Sequence, residues 1–165
     1  MPITSSYLPE ICSGVKLKKI VAKLSQHILD SGIVFQAIAV RGFSSSFVSA
    51  PIAAELKKNL IIVRKSSKGH HSNTRVEGYQ SPKSKRLKYI IVDDFISTGK
   101  TIATIIKDVH EIWDRKAICT GVFLYRECES YCRKDWVDEC LAPRHAKTVE
   151  EIQAGVIPMR AYNLR

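Results

Sequence analysis

The apolar residues of this chain follow two kinds of spacing, one typical of helices and one typical of buried strands. At 15–31 they recur on one helical stripe with lysines on the opposite face, and Gly32 follows, which predicts an amphipathic helix. Shorter helical patterns follow at 47–57 and from Thr101 onward. Four other runs are apolar without polar alternation, as in strands buried on both faces of a parallel sheet. These runs lie at 33–40, 60–63, 89–92 and 117–125.

The order of these elements predicts an α/β fold in which a parallel twisted sheet is flanked by helices. Parallel strands joined through helices make right-handed crossovers, so the loops that follow the strands lie along one edge of the sheet. With 165 residues, the chain has the length of one domain. We therefore expect a single domain at 1–165, with its core at about 34–126 and a C-terminal extension at 127–165.

Two carboxylates and a small-residue turn follow the apolar run at 89–92. Asp93 and Asp94 end this predicted strand, where open α/β sheets bind ligands. The turn opens the next helix, and the N–H groups at a helix N-terminus bind phosphate. Ionised carboxylates accept hydrogen bonds and a ribose diol donates two, so the pair suits a sugar phosphate. The residues of the turn are Ser97, Thr98, Gly99, Lys100 and Thr101.

Two other interpretations of this stretch are weaker. The sequence G-K-T at 99–101 has the ending of a Walker A loop, but the first glycine of that motif would fall on Asp94, whose carboxylate would repel phosphate. Alternatively, the aspartates only cap the helix, which would explain one carboxylate but not both. A phosphorylated sugar is therefore the favoured ligand.

The stretch Y-I-I-V-D-D-F-I-S-T-G-K-T at 89–101 resembles the substrate-binding signature of the type I phosphoribosyltransferases, which use 5-phosphoribosyl 1-pyrophosphate (PRPP). The resemblance covers about 34–126 and implies the fold of that family, with a flexible basic hood loop. It also implies that Asp93 and Asp94 contact the ribose and that residues 97–101 bind the 5′-phosphate. Mg²⁺ would be the cofactor, held by pyrophosphate and ribose oxygens rather than by protein ligands.

A second candidate loop follows the run at 33–40. Arg41-Gly42-Phe43, with A-P-I-A further on, resembles the pyrophosphate-binding loop of adenine phosphoribosyltransferases. Glycine permits a close approach of phosphate to the backbone, and arginine adds a positive charge. The resemblance implies that Arg41 and Gly42 bind pyrophosphate. Taken alone, R-G-F is equally well explained as a tight turn that needs a glycine.

The segment after the run at 60–63 is rich in cations. Its R-K-x-x-K-x-H spacing resembles the catalytic loop of orotate phosphoribosyltransferases, which in that family's dimers reaches the neighbouring subunit's site. Preorganised cations would stabilise the charge that builds on departing pyrophosphate. The implied pyrophosphate ligands are Arg64, Lys65, Lys68 and His70. Lys68 is the first candidate for a catalytic residue, and His70 and Asp94 are further candidates. Alternatively, His70 is an incidental surface histidine.

The net charge of the chain is +10, and most of it lies in one segment. Between Lys57 and Lys88 there are ten bases and one acid, a net +9. Clustered bases are also typical of nucleic-acid binding, and a solvated loop is a third explanation. Because PRPP carries several phosphates and this segment directly precedes the stretch at 89–101, we favour PRPP as its partner and do not expect nucleic acid.

Arg126 follows the last predicted strand. The corresponding arginine of the orotate enzymes contacts the base, and the residue there that corresponds to Ser97 also approaches it. The resemblance thus implies that Arg126 and Ser97 bind the base. An arginine that simply lies in solvent at the end of a strand is an equally good explanation.

The C-terminal extension carries a cluster of metal-ligand residue types. Cys128, Cys132, Cys140 and His145 suffice chemically for a tetrahedral zinc site, but their spacing fits no common zinc finger. We favour free cysteines in a reducing compartment. The sequence has no signal peptide pattern and no apolar run of membrane-spanning length, so we expect a cytoplasmic protein without membrane contact.

Together these features predict a Mg²⁺-dependent enzyme that transfers the 5-phosphoribosyl group of PRPP to a nucleobase nitrogen and releases pyrophosphate. R-G-F favours a purine such as adenine, whereas the loop at 64–70 and Arg126 favour orotate. The short segment before the first strand makes a purine the first choice. The resemblance also implies a homodimer. The alternative is a non-catalytic regulator of the same fold that senses PRPP or a nucleotide.

Overall fold

The computed structural model describes residues 8–65, 74–79, 86–96, 99–113 and 116–126, and the backbone of 129–132. Its strands are β1 (Ala37–Arg41), β2 (Asn59–Val63), β3 (Val76–Gly78), β4 (Leu87–Asp93), β5 (Ala117–Leu124) and β6 (Glu129–Cys132). Its helices are α1 (Leu8–Ile11), α2 (Gly14–Asp30), α3 (Phe43–Glu55) and α4 (Lys100–Ile112).

The six strands of the described residues form one sheet in the order β3-β2-β1-β4-β5-β6. The four central strands are parallel, which confirms the predicted α/β fold. The two edge strands are antiparallel, because β3 pairs with β2 and β6 pairs with β5. Residues 125–128 alone separate β5 from β6, too few for the crossover that a parallel pair needs. The apolar pattern gives no sign of β6, whose sequence E-S-Y-C contains no apolar run.

Helices cover both faces of the sheet. α3 connects β1 to β2 and α4 connects β4 to β5, and these connections run toward opposite edges of the sheet. Crossovers of the same hand therefore place α3 and α4 on opposite faces. α2, which corresponds to the predicted helix at 15–31, packs against α3. The apolar stripes of α2 and α4 are buried, at Leu24 and Ile28 of α2 and at Ile102, Ile105, Ile106 and Val109 of α4.

β1 begins later, and α3 earlier, than the apolar pattern indicates. The strand starts at Ala37 rather than 33, because Gln36 connects the beginnings of β1 and β4 partly through its side chain. The Gln36 N–H donates to the Lys88 carbonyl (2.8 Å), and the Gln36 Oε1 accepts from the Lys88 N–H (2.7 Å). The helix starts at Phe43 rather than 47. Gly42 is thus the one residue between β1 and α3, and it must reverse the chain by itself.

None of the helices that the structure describes combines the length and the apolar content needed to span a bilayer.

Candidate active site

A cavity of ≈ 200 Å³ lies at the carboxyl edge of the sheet. Residues from the ends of β1, β2 and β4 and from the start of α4 line it, where parallel sheets generally bind ligands. It brings together seven of the residues singled out from the sequence. These are Arg41, Lys65, Asp93, Asp94, Gly99, Lys100 and Thr101.

Asp93 is the last residue of β4, and its side chain is almost completely buried at one side of the cavity. Its Oδ1 accepts hydrogen bonds from the Ser45 hydroxyl (2.7 Å) and from the Asp94 N–H (3.0 Å). Burial raises the pKa of Asp93 to about 7; the Ser45 bond opposes this rise, and the nearby charge of Asp94 adds to it. Asp93 is therefore fixed by its neighbours before any ligand arrives.

Asp94 also lines the cavity, but its side chain is only partly buried. Its Oδ1 accepts the N–H of Phe95 (3.0 Å), an interaction within the turn that orients the carboxylate. The two adjacent carboxylates therefore differ in environment: Asp93 is almost completely buried, and Asp94 is partly exposed. Both line the cavity.

The start of α4 forms a second side of the cavity. Gly99 adopts a left-handed conformation (φ 71°, ψ −4°) at the N-cap, which glycine reaches without strain. The helical bonding begins with the Ala103 N–H, which donates to the Gly99 carbonyl (3.0 Å). The N–H groups of residues 100–102 precede this bond and take no part in the helix ladder, and N–H groups in this position of a helix are the ones that can bind an anion. Ser97 and Thr98, also predicted for this turn, lie outside the described residues.

Gly42 and Lys65 approach each other closely at the cation-rich side of the cavity. Gly42 has φ 101° and ψ 169°, a combination adopted almost only by glycine. A Cβ added there would lie 2.9 Å from Cε and 3.3 Å from Nζ of Lys65. The absence of a side chain at Gly42 thus lets the Lys65 ammonium lie against the backbone just before α3. Phosphate oxygens would meet two positive charges and backbone N–H groups here.

Arg64 is turned away from this cavity. Its guanidinium forms a salt bridge with Glu77 of β3, and its N–H donates to the Arg75 carbonyl (2.8 Å). Arg64 continues the pairing with the β3 side, whereas the chain bends at the next residue, Lys65, which lines the cavity. The structure does not bring Arg64 to the predicted pyrophosphate site. Arg64 instead connects the end of β2 to β3, next to the predicted hood loop in the sequence.

Several other predicted residues lie outside the described part of the chain. They include Lys68 and His70 of the hood loop, and Cys128, Cys140 and His145 of the zinc hypothesis, while only the backbone of Cys132 is described. Within the described ranges, no group of three or more histidine, cysteine, aspartate or glutamate side chains is arranged to hold a metal ion. Cys12 and Cys119 are free thiols.

Arg126 lies near Phe95, a cavity residue that the sequence analysis did not single out. The guanidinium carbon of Arg126 is 5.9 Å from the centre of the Phe95 ring, within the range of a cation–π contact. Phe95 lines the cavity and keeps 36% of its surface exposed. The sequence did offer a signal for Phe95, because an aromatic residue directly follows the two carboxylates. The sequence analysis also did not single out Ser44. This polar residue lines the cavity and lies in the first turn of α3, after Gly42.

A family model described as phosphoribosyl transferase domain matches residues 10–156. The chain belongs to the phosphoribosyl transferase family. The match confirms the family that the sequence resembles and assigns the protein to an enzyme family, the phosphoribosyltransferases. No curated protein sequence matches the chain.

Solved structures of other phosphoribosyltransferases share the fold of this family member. The UMP synthase of Leishmania donovani has a TM-score of 0.58 and 17% identity over 75% of this chain and 25% of that chain. The adenine phosphoribosyltransferase of Thermoanaerobacter pseudethanolicus has a TM-score of 0.56 and 20% identity, covering 73% and 74%. The orotate phosphoribosyltransferase of Francisella tularensis has a TM-score of 0.53 and 16% identity, covering 69% and 53%.

These identities establish the type I phosphoribosyltransferase fold alone. The chain spans about a quarter of the UMP synthase and about half of the Francisella enzyme. Adenine and orotate enzymes are both present among the similar structures, at nearly equal TM-scores. The comparison of folds therefore does not choose between the two bases.

Proposed function

We propose that this phosphoribosyltransferase binds PRPP in the cavity at the carboxyl edge of the sheet and transfers its 5-phosphoribosyl group to a nucleobase nitrogen. One observation carries the proposal: paired carboxylates, a glycine-opened helix N-terminus and two strand-end cations line a single cavity. PRPP needs these three kinds of partner, because it has ribose hydroxyls, a 5′-phosphate and a pyrophosphate group.

The proposed roles follow from charge and hydrogen-bonding capacity. Asp94 and Asp93 accept hydrogen bonds from the ribose hydroxyls. The N–H groups at the start of α4 bind the 5′-phosphate, which the positive end of the helix dipole also attracts. Arg41 and Lys65 bind the pyrophosphate, with Gly42 providing close access to the backbone. Lys68 and His70 would add to the cationic side in the closed state, as the resemblance to the orotate enzymes implies.

The proposed reaction is a displacement at the anomeric carbon. The bond from this carbon to the pyrophosphate oxygen breaks, the bond to a nucleobase nitrogen forms, and that nitrogen loses its proton. Negative charge grows on the leaving pyrophosphate, where preorganised cations lower the barrier, while the carboxylates lie on the side of the electron-deficient sugar. No side chain has to act as a nucleophile, since positioning and electrostatics supply the rate enhancement.

We include Mg²⁺ as the cofactor on the basis of the ligands that the cavity offers. This ion prefers phosphate oxygens and water to a complete cage of protein ligands. The cavity combines carboxylates with the cations of the proposed pyrophosphate site, which suits an ion carried in with the substrate. When bound, Mg²⁺ would neutralise part of the pyrophosphate charge.

For the acceptor we propose a purine, with orotate as the next candidate. Phe95 offers an exposed ring at the cavity, on which a planar heterocycle can stack, and the Arg126 guanidinium lies beside it. The R-G-F turn at Gly42 has the form found in the adenine enzymes, which favours the purine.

A panel of nucleobases incubated with PRPP and Mg²⁺ tests the function directly. We expect release of pyrophosphate with a purine base and formation of the matching nucleoside 5′-monophosphate, identified by chromatography. The Asp94→Asn variant is the control for contaminating activity. Binding of PRPP without pyrophosphate release on any base would replace the transferase with the PRPP-sensing regulator. Absence of PRPP binding would refute both.

We further propose a homodimer, as the resemblance to the orotate enzymes implies. In that arrangement the loop that carries Lys68 and His70 would reach the partner's site. Light scattering coupled to gel filtration would give the mass of the assembly directly, and a monomeric mass for an active enzyme would refute a shared site.

Lys65 and Arg64 allow a prediction that separates the cavity from the base of the hood loop. We expect Lys65→Ala to weaken PRPP binding about fivefold to tenfold, because a partly solvated ammonium that pairs with pyrophosphate is lost. Arg64→Ala should leave the dissociation constant within about twofold, since Arg64 pairs with Glu77 outside the cavity. Calorimetric titration with PRPP measures both. A larger loss in Arg64→Ala than in Lys65→Ala would contradict the proposed assignment.

A further inference from the structure

Ser45 lies at the junction between the two halves of the cavity. It is in the first turn of α3, three residues after Gly42, and its side chain is completely buried. Its hydroxyl donates to Oδ1 of Asp93 over 2.7 Å, although the two residues are 48 positions apart in the chain. This bond joins the helix that follows the proposed pyrophosphate turn to the end of the strand that carries the proposed ribose ligands.

The bond engages one particular oxygen of Asp93. Both the Ser45 hydroxyl and the Asp94 N–H donate to Oδ1. Neither of these two donors uses Oδ2, which is the oxygen that we assign to a ligand in the cavity. Without Ser45, rotation about the terminal torsion of the aspartate would be less restrained, because such sp³–sp² torsions have broad, two-fold energy profiles.

We propose that Ser45 is a positioning residue for the transferase: it holds Asp93 by Oδ1 so that Oδ2 is presented to the ribose hydroxyls. This role rests on the proposed function, since it assumes a ribose phosphate in the cavity. Ser45 does not itself touch the substrate in this arrangement. It acts through Asp93 alone.

The electrostatic surroundings of Asp93 support the same role. Arg41 from β1, Lys65 after β2, Lys100 of α4 and the adjacent Asp94 line the cavity with it. Burial raises the pKa of Asp93 to about 7, and the Ser45 bond opposes this rise by stabilising the ionised form. Loss of the hydroxyl would therefore raise this pKa further and leave less of the carboxylate ionised near neutral pH.

Helix α3 provides a matched control for this experiment. Ser49 lies one turn further along α3 and is also completely buried, and its hydroxyl has no hydrogen-bond partner among the residues that the structure describes. Ser49→Ala removes the same atom from the same helix without touching Asp93. Ser45→Cys adds an intermediate case, because a thiol is a weaker donor of nearly the same shape.

The test compares three ligands at several pH values by calorimetric titration. We expect Ser45→Ala to weaken PRPP and ribose 5-phosphate binding about tenfold each at pH 7, and Ser45→Cys less. Pyrophosphate alone, which does not need Asp93, should bind within about twofold of wild type. The pH midpoint of PRPP binding should move upward in Ser45→Ala. Ser49→Ala should behave as wild type with all three ligands.

A ligand-free measurement separates this inference from the proposed function. Carbon-13 NMR of the Asp93 carboxyl should show an upward shift of its titration midpoint in Ser45→Ala and none in Ser49→Ala. If wild type binds PRPP but Ser45→Ala changes neither the affinities nor this midpoint, the positioning role is wrong and the function stands. Equal weakening of pyrophosphate and ribose 5-phosphate would indicate a merely structural role. A wild-type protein that binds no PRPP overturns both proposals.

Discussion

Replacement of Asp94 by asparagine is expected to weaken PRPP binding by about 100-fold while the protein remains folded. Asp94 lines the cavity, is partly exposed, and accepts the Phe95 N–H through one of its two oxygens. An ionised carboxylate accepts hydrogen bonds at both oxygens, whereas an amide of the same shape accepts at only one and presents a donor at the other. The ribose hydroxyl then loses a charge-assisted bond or meets a competing donor, which corresponds to roughly two orders of magnitude in affinity.

Asp94→Asn also removes a negative charge, so its control must do the same elsewhere. Asp30 at the end of α2 is exposed and accepts a hydrogen bond from Gln26 (2.8 Å), and it does not line the cavity. Asp30→Asn should leave PRPP affinity within about twofold at moderate ionic strength, because charges far from the ligand are screened. Calorimetric titration of both variants with PRPP measures the two dissociation constants. Wild-type affinity in Asp94→Asn would remove the ribose role of this residue.

The local motif at 89–101 was the part of the site that sequence could predict best. A strand without polar alternation, two carboxylates and a glycine turn before a helical pattern fix the order of the groups along the chain. In a parallel sheet this order also fixes their place, because strand ends and helix starts meet at one edge. Arg41 and Lys65 reach the same cavity for this reason, although they follow different strands.

The residues that sequence could not place depend on side-chain direction and on contacts between distant segments. R-K at 64–65 matches a cationic loop as a pair, yet Arg64 pairs with Glu77 of β3, and Lys65, where the chain bends, lines the cavity. Ser45 lies in a run of three serines, and only the packing of α3 on the sheet shows which one meets Asp93. The edge strand β6 escaped prediction because its pairing with β5, rather than its own apolar pattern, defines it.

Gly42→Ala is expected to weaken PRPP binding about 30-fold and to lower the free energy of unfolding by about 1–3 kcal/mol. The backbone of Gly42, at φ 101° and ψ 169°, lies in a region that alanine enters only under strain. Relief of that strain would turn the peptide groups that begin α3. The new Cβ would also lie 2.9 Å from Cε of Lys65, so this flexible side chain would have to move its ammonium away from the proposed pyrophosphate site.

Two further variants separate the backbone effect of Gly42→Ala from its effect on Lys65. Gly32 also has a positive φ, of 63°, but an added Cβ meets nothing within 4 Å, so Gly32→Ala should lower stability without changing PRPP affinity. The double variant Gly42→Ala/Lys65→Ala tests the contact itself. If displacement of Lys65 causes part of the loss, the double variant should bind PRPP more tightly than the product of the two single fold-losses predicts. The reason is that the free-energy changes of mutations at contacting residues do not add. Strict additivity would leave backbone strain as the whole cause.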